Sequence, residues 1–126
     1  GEGFCVLNDV AIAIRTLQAE RLIERAAVID LDVHQGNGTA AIFEADDEVF
    51  TFSMHGERNY PLAKMRSSLD VPLEDGVGDV QYLDALRAHL PVVLDTRSDI
   101  VFYLAGVDVA AGDRYGKLAL SEEGIR

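Results

Sequence analysis

Apolar stretches separated by helical repeats predict the elements of this chain. A continuous apolar run over residues 26–31 is typical of a strand buried on both faces. Further strands are predicted at residues 49–54, 69–72 and 100–105. Apolar residues three or four positions apart predict helices, and these cover residues 8–24, residues 39–44 and the segment after Asp79.

The third helix is predicted to begin with Asp79 as its N-cap. One apolar face of that helix is marked by Val80, Leu83, Leu86, Leu90 and Val93. Strands that alternate with helices indicate a parallel α/β sheet with right-handed crossovers. Ligands bind beyond the carboxyl ends of such strands, so polar residues at those ends are the candidates for chemistry.

Composition excludes several classes of function. The 126 residues are 48% hydrophobic, which suits one globular unit. The formal net charge of −11 argues against nucleic-acid binding through a basic surface, and the apolar runs are too short for a membrane span. The single cysteine, Cys5, allows no internal disulfide and fits a reducing compartment. We therefore expect a cytoplasmic protein, and a nuclear one as well if it is eukaryotic.

Two carboxylates and an imidazole follow the first strand at alternate positions, as Asp30, Asp32 and His34. If the backbone stays extended, alternate side chains point the same way, and the three groups would gather on one side. Catalytic zinc takes three nitrogen or oxygen ligands and keeps an open position for water. Asp32 and His34 would supply two ligands, and Asp108, after a different strand, would supply the third.

Two other interpretations compete for these residues. Residues 36–41 fit G-x-G-x-x-A between a strand and a helix, the dinucleotide fingerprint. However, a pyrophosphate there would be repelled by Asp30 and Asp32. A D-x-D strand end is also typical of magnesium-dependent phosphatases of the haloacid-dehalogenase type, but His34 is a nitrogen ligand that magnesium does not favour. Zinc is preferred to both, and the phosphatase stays as the weaker alternative.

Motifs along the whole chain, in order, resemble those of the zinc-dependent histone deacetylase family. They are residues 3–11 (GFCVLNDVA), 29–38 (IDLDVHQGNG), 53–56 (SMHG), 59–61 (NYP) and 105–108 (AGVD), continuing to 112–114 (GDR). Gln35 and Asn37 are similar to the class IV branch and its bacterial relatives, which include acetoin-utilisation and acetylpolyamine-hydrolase types. The resemblance implies a three-layer α/β/α fold with a single parallel sheet, arginase/deacetylase-like and incomplete.

The same resemblance implies roles for individual residues. Zinc would bind Asp32, His34 and Asp108. A structural potassium would lie near Asp30, Asp32, His34, Ser53 and Met54. Gly3, Phe4 and Tyr60 would line a narrow channel for the acylated side chain. Asp30 and Asn37 would each orient one catalytic histidine, and Cys5 would be a small buried residue rather than a nucleophile.

The implied function is zinc-dependent hydrolysis of the acetyl amide of lysine, in histones or other proteins, by metal-activated water. Small acetylated amines are the alternative substrates, and a non-catalytic domain that binds metal or acyl-lysine is an alternative from a different class. In the family, paired histidines precede the GFC segment and a tyrosine follows a later glycine-rich loop. We therefore expect residues 1–126 to be the central part of one deacetylase domain and to be inactive in isolation. The sequence does not predict the oligomeric state.

Overall fold

Four parallel strands form the central sheet of the structure, a computed structural model that describes residues 5–126. They are β1 (Ala26–Asp30), β2 (Val49–Gly56), β3 (Leu69–Leu73) and β4 (Ile100–Leu104). Their order across the sheet is β3-β2-β1-β4. β1 therefore has a neighbour on both sides, and all five of its residues are buried. This confirms the parallel sheet that the sequence predicts.

Helices cover both faces of the sheet, so the three-layer α/β/α fold is confirmed. The helical elements are α1 (Asp9–Ala19), α2 (Asn37–Phe43), α3 (Asp79–Leu94), a 3₁₀ turn (Val107–Val109) and α4 (Glu122–Ile125). One core cluster joins α1 and α2 to Ala26 and Val28 of β1. The other joins α3 to Ala27 and Ile29. Alternate residues of one buried strand thus serve opposite layers, as a pleated strand requires.

The first helix begins where the sequence predicts but ends earlier. Asn8 is the N-cap, and its side-chain Oδ1 accepts a hydrogen bond from the Ala11 N–H at 2.8 Å. The predicted end at residue 24 is wrong, since α1 stops at Ala19. Arg21 has a φ of 57°, in the left-handed region that a right-handed helix cannot contain. The chain therefore turns before it enters β1.

The buried face of α3 also differs from the prediction. Val80 is 74% exposed, whereas Tyr82 is 4% exposed and donates its hydroxyl to the Leu31 carbonyl at 3.4 Å. The N-cap is Gly78 rather than Asp79. The Asp79 carboxylate instead accepts hydrogen bonds from the backbone and hydroxyl of Ser121, at 2.8 and 2.6 Å. It therefore ties the start of α3 to the residues just before α4.

Cys5 and two residues of β4 are exposed to solvent. Cys5 is exposed, so the expectation that it is buried is wrong. In β4, Val101 and Tyr103 are 47% and 62% exposed on the face that α3 covers elsewhere in the sheet.

Within residues 5–126, none of the helices has the length and apolar character needed to cross a bilayer.

Candidate metal centre

The chain after β1 is shaped by aspartates that accept hydrogen bonds from the backbone two residues on. The Asp32 N–H donates to Asp30 Oδ1 at 3.1 Å, and the His34 N–H donates to Asp32 Oδ1 at 2.8 Å. Aspartate commonly closes tight turns in this way. β1 ends at Asp30, so the expectation of extended backbone through His34 is wrong. Turns, rather than the pleat of a strand, bring Asp32 and His34 together.

Asp108 reaches the same place from a second strand end. It lies in the 3₁₀ turn that follows β4, the parallel neighbour of β1. Its Oδ1 accepts a hydrogen bond from the Val33 N–H at 3.1 Å. A Cβ on Gly106 would collide with Asp32 Oδ2 and lie 2.8 Å from Asp108 Oδ1. Glycine at 106 therefore lets the two carboxylates approach each other.

The side chains of Asp32, His34 and Asp108 place three ligand atoms within 4.8 Å of one another. His34 Nδ1 lies 3.0 Å from Asp32 Oδ1 and 3.1 Å from Asp108 Oδ2. Two ligands of a tetrahedral zinc ion are roughly 3.4 Å apart, so these residues fit zinc with little movement. The three side chains are 37%, 28% and 21% exposed respectively, which leaves an open side for water or substrate.

Asp30 lies behind this group rather than in it. Its side chain is 7% exposed, and burial raises the pKa of Asp30 to about 7. The hydrogen bond from the Asp32 N–H acts in the opposite direction, and the carboxylates of Asp32 and Asp108 raise the pKa further. Asp30 is paired in register with Ser53 of β2, next to the fully buried Met54. Asp30 and Ser53 thus lie side by side on one face of the sheet, and Met54 follows in β2 on the opposite face.

Asn37 begins α2, directly after the turn. Its backbone N–H donates to the Gln35 carbonyl at 2.8 Å. The same helix is joined to α1 by a hydrogen bond of 2.9 Å from Asn8 Nδ2 to Thr39 Oγ1. The asparagine that caps α1 therefore also fixes the position of α2.

Tyr60, the predicted channel residue, lies in a loop of residues 57–68, called here the Tyr60 loop. Its side chain is 46% exposed, and the Tyr60–Pro61 peptide bond is cis. The neighbouring Asn59 is 3% exposed and donates its Nδ2 to the Tyr115 carbonyl at 2.7 Å. Gly3 and Phe4, the other predicted channel residues, lie outside the described residues.

Lys64 links three backbone carbonyls of its own Tyr60 loop. Lys64 Nζ donates to three backbone carbonyls, those of Glu57, Asn59 and Pro61, at 3.0, 2.7 and 2.5 Å. Burial lowers the pKa of Lys64. The loop is thus organised around an ammonium group of the chain itself.

The remaining histidines lie away from the three clustered ligands. His55 is 1% exposed within β2, and its Nδ1 lies 3.0 Å from Ser53 Oγ. Burial lowers the pKa of His55. His89 lies on α3 with its Nδ1 2.8 Å from the Ala85 carbonyl oxygen. Neither imidazole belongs to the group of three candidate ligands.

Two residues with structural roles near the site were not predicted. Gln35 follows His34 and is 4% exposed, although it is polar and lies beside a glycine-rich turn. A glutamine that directly follows a ligand candidate is a usable signal in the sequence. Lys64 gave no such signal, because a lone lysine in a polar loop is ordinarily solvated.

Comparison with known proteins finds relatives along the whole chain. The histone deacetylase domain family matches residues 1–126. An uncharacterized protein from Picosynechococcus sp. is 54% identical over 126 residues, and the match covers 99% of this chain and 42% of that protein. A histone deacetylase-like amidohydrolase from Pseudomonas aeruginosa is 33% identical, with 98% of this chain and 36% of that protein covered. The chain thus spans less than half the length of these relatives.

Solved structures are similar over the same region. An acetylpolyamine aminohydrolase from Burkholderia pseudomallei superimposes with a TM-score of 0.85 at 28% identity, covering 98% of this chain and 40% of that one. A histone deacetylase homologue from Aquifex aeolicus gives a TM-score of 0.87 at 27% identity, covering 99% and 37% respectively.

Proposed function

This chain belongs to the histone deacetylase family, and on that premise we propose that the protein containing it hydrolyses the acetyl amide of lysine side chains at a zinc ion. Asp32, His34 and Asp108 would hold that ion. The observation that carries the proposal is the meeting of their three ligand atoms within 4.8 Å, from the ends of two neighbouring strands. Two carboxylates and an imidazole form a donor set that catalytic zinc accepts.

Bound zinc supplies Lewis acidity and lowers the pKa of its water. The chain's own contribution is to orient the ligands before any metal arrives. Backbone N–H groups of Val33 and His34 donate to the carboxylates of Asp108 and Asp32. Partners of this kind fix the direction of a ligand and sustain metal affinity. Tyr60, together with Gly3 and Phe4, would line the channel for the acylated side chain.

The supporting residues have proposed roles as well. Asp30 and Asn37 would each orient one histidine of the family's catalytic pair. A potassium ion would lie near Asp30, Asp32, His34, Ser53 and Met54, and the register pairing of Asp30 with Ser53 supports that position. Replacing potassium with sodium in the buffer should then lower the melting temperature of the full-length protein. An equal melting temperature in the two salts would contradict the potassium site.

Substitution of a ligand in the full-length protein tests the proposal. Asp32→Ala should remove both the zinc, measured by elemental analysis, and the release of acetate from an acetyl-lysine peptide. The matched control is Asp84→Ala, which removes an exposed α3 carboxylate that pairs with Arg87 at 3.1 Å. Zinc and turnover retained in Asp32→Ala would overturn the assignment. Zinc bound by the unaltered protein without turnover would favour the non-catalytic binding domain.

Residues 1–126 alone should bind metal weakly and show no turnover. The support is that His55 and His89, the histidines besides His34, are both engaged elsewhere, so no imidazole of this chain is placed to take a proton from water. Efficient hydrolysis by the isolated segment would contradict this expectation.

A small acetylated amine is the second candidate substrate. The structural likeness to the Burkholderia aminohydrolase favours it, and the net charge of −11 would attract a polycation. Direct competition between an acetyl-lysine peptide and an acetylated polyamine distinguishes the two, because the better substrate has the higher kcat/KM.

A further inference from the structure

The side chain of Gln35 is turned away from the metal centre and into the Tyr60 loop. Gln35 is 4% exposed, although it follows the candidate ligand His34 directly. Its Oε1 accepts a hydrogen bond from the Met65 N–H at 2.8 Å, and its Nε2 donates to the Met65 carbonyl at 2.7 Å. The amide therefore pairs with both backbone groups of one loop residue, as a neighbouring strand would.

Further contacts make Gln35 a junction between the loop and the sheet. Its backbone N–H donates to the Tyr60 carbonyl at 3.3 Å. Its Nε2 also donates to Asp70 Oδ1 at 2.9 Å, while Asp70 Oδ2 accepts from the Ser67 N–H at 2.9 Å. One residue thus holds the Tyr60 loop at Tyr60 and at Met65, and its partner Asp70 holds the end of the loop.

We propose that Gln35 is a positioning residue that couples the Tyr60 loop to the metal centre and thereby sets the apparent affinity for the acylated substrate. The proposal rests on the function proposed above. His34 and Gln35 are adjacent in the chain, so the tether holds the Tyr60 loop at a defined place relative to the candidate ligand. Glutamine suits this place because one side chain supplies two N–H donors and a carbonyl acceptor. Glutamate, of the same shape, has no donor for the Met65 carbonyl and would set a second carboxylate against Asp70.

The coupling predicts a specific kinetic signature. A displaced Tyr60 loop weakens contacts made equally in the bound substrate and the transition state, so KM should rise while kcat is kept. Zinc content should not change, because both polar atoms of the Gln35 amide are engaged by Met65 and Asp70.

The experiment uses the full-length protein with Gln35→Ala, Gln35→Glu, and Gln35→Glu combined with Asp70→Asn. We expect Gln35→Ala to raise KM for an acetyl-lysine peptide roughly tenfold with kcat within about twofold, and Gln35→Glu to raise KM further. Adding Asp70→Asn should recover part of that loss, since its amide can donate to the new carboxylate. Hydrogen exchange at the Met65 amide should be faster in Gln35→Ala, which removes the acceptor of the Met65 N–H.

Asp99→Ala is the control for general destabilisation, because Asp99 binds the Glu24 and Arg25 amides at the opposite end of the sheet. It should leave KM and Met65 exchange unchanged. Unchanged Met65 exchange in Gln35→Ala overturns the tether, and faster exchange with unchanged KM overturns its role in substrate affinity. Absence of recovery on adding Asp70→Asn overturns the role of the Gln35–Asp70 contact. An unaltered protein that binds zinc but shows no turnover overturns the proposed function. Hydrogen exchange at the Met65 amide would then still show whether Gln35 holds the Tyr60 loop.

Discussion

The turn after β1 and the Tyr60 loop are both tied to the candidate metal centre, but they are held in different ways. At the turn of residues 31–36, Asp30 just before it and Asp32 within it each accept a backbone hydrogen bond from the residue two positions on. In the Tyr60 loop, the external tethers come from distant residues. Gln35 contacts Met65 across 30 positions, and Asn59 reaches Tyr115 across 56.

This difference shows which part of a site is encoded locally. The geometry of a turn built from short-range hydrogen bonds is determined by a few adjacent residues. A loop held by distant partners takes its shape only once the sheet has brought those partners together. The positions of the three candidate ligands therefore follow from local sequence and strand order, whereas the position of Tyr60, the proposed channel wall, depends on the whole fold.

The largest effect is expected at Gly116, which packs against the backbone of Asp108 in the candidate metal centre. A Cβ there would collide with the Asp108 carbonyl oxygen and lie 2.9 Å from the Asp108 carbonyl carbon. Gly116→Ala should therefore displace the 3₁₀ turn and cost about 3 kcal/mol or more of unfolding free energy. Zinc binding should be lost with it. Urea unfolding and elemental analysis of the full-length protein measure both.

Gly38→Ala is the matched control for this substitution. The nearest atom to a Cβ at Gly38 is Asn8 Nδ2, at 3.9 Å, which is an ordinary contact. Gly38 also lies in the first turn of α2, where alanine is a better helix former than glycine. Its stability should be unchanged or higher. A Gly116→Ala protein as stable as the Gly38→Ala protein would show that the 3₁₀ turn has room to move.

The order of the elements was predictable because each has a strong local pattern. The continuous apolar run of β1 and the helical repeat after Asp79 need no knowledge of the rest of the chain. Element ends were less predictable. The prediction for α1 ran past Ala19, because nothing in residues 20–24 marks the positive φ of Arg21. Tyr82 was missed because its place in the core depends on the Leu31 carbonyl, 51 positions away.

The ligand candidates were predicted by two arguments, of which the structure bears out one. The strand-end argument holds, and the argument from alternating side chains does not. Strand ends in a parallel sheet meet at one edge, and this alone places Asp108 near Asp32 and His34. The alternation argument also placed Asp30 in the group, whereas the strand ends there and leaves it buried behind the others. The tethers of the Tyr60 loop were not predictable, because hydrogen-bond partners far apart in sequence leave no periodic signal.

A smaller effect is expected from Lys64, which holds the Tyr60 loop from within. Lys64→Met removes an ammonium group that donates to three carbonyls. Charge-assisted bonds at a partly solvated group make this worth about 1 kcal/mol of unfolding free energy. Zinc content should stay the same, because the turn after β1 does not depend on Lys64. Thermal unfolding with elemental analysis tests both parts.

Lys117→Met is its control, since Lys117 Nζ donates to one carbonyl, that of Arg58, at 3.0 Å. Its effect on stability should be smaller than that of Lys64→Met. Loss of zinc from the Lys64→Met protein would show that the turn after β1 depends on the Tyr60 loop, and the comparison between them would fail.

The smallest effect is expected from a long-range tether far from both regions. The N–H groups of Arg25 and Glu24 donate to the Asp99 carboxylate, and they hold the pKa of Asp99 below its usual range. The folded pKa is thus lower than the unfolded pKa of about 3.9. The stability from these bonds is present above about pH 4 and is lost as the pH falls through the lowered pKa.

Asp99→Asn should therefore lower the melting temperature of the full-length protein at pH 7, and the difference from the unaltered protein should shrink at pH 3. Asp84→Asn, on the exposed surface of α3, gives the baseline for a neutralised carboxylate. A difference that is equal at both pH values would show that the charge of Asp99 does not strengthen the tether. Zinc content and the KM for an acetyl-lysine peptide should not change at pH 7, because the Asp99 bonds join the starts of β1 and β4 while the ligands follow their ends. A long-range contact can thus stabilise the sheet without setting the site, which separates the Asp99 tether from those of the Tyr60 loop.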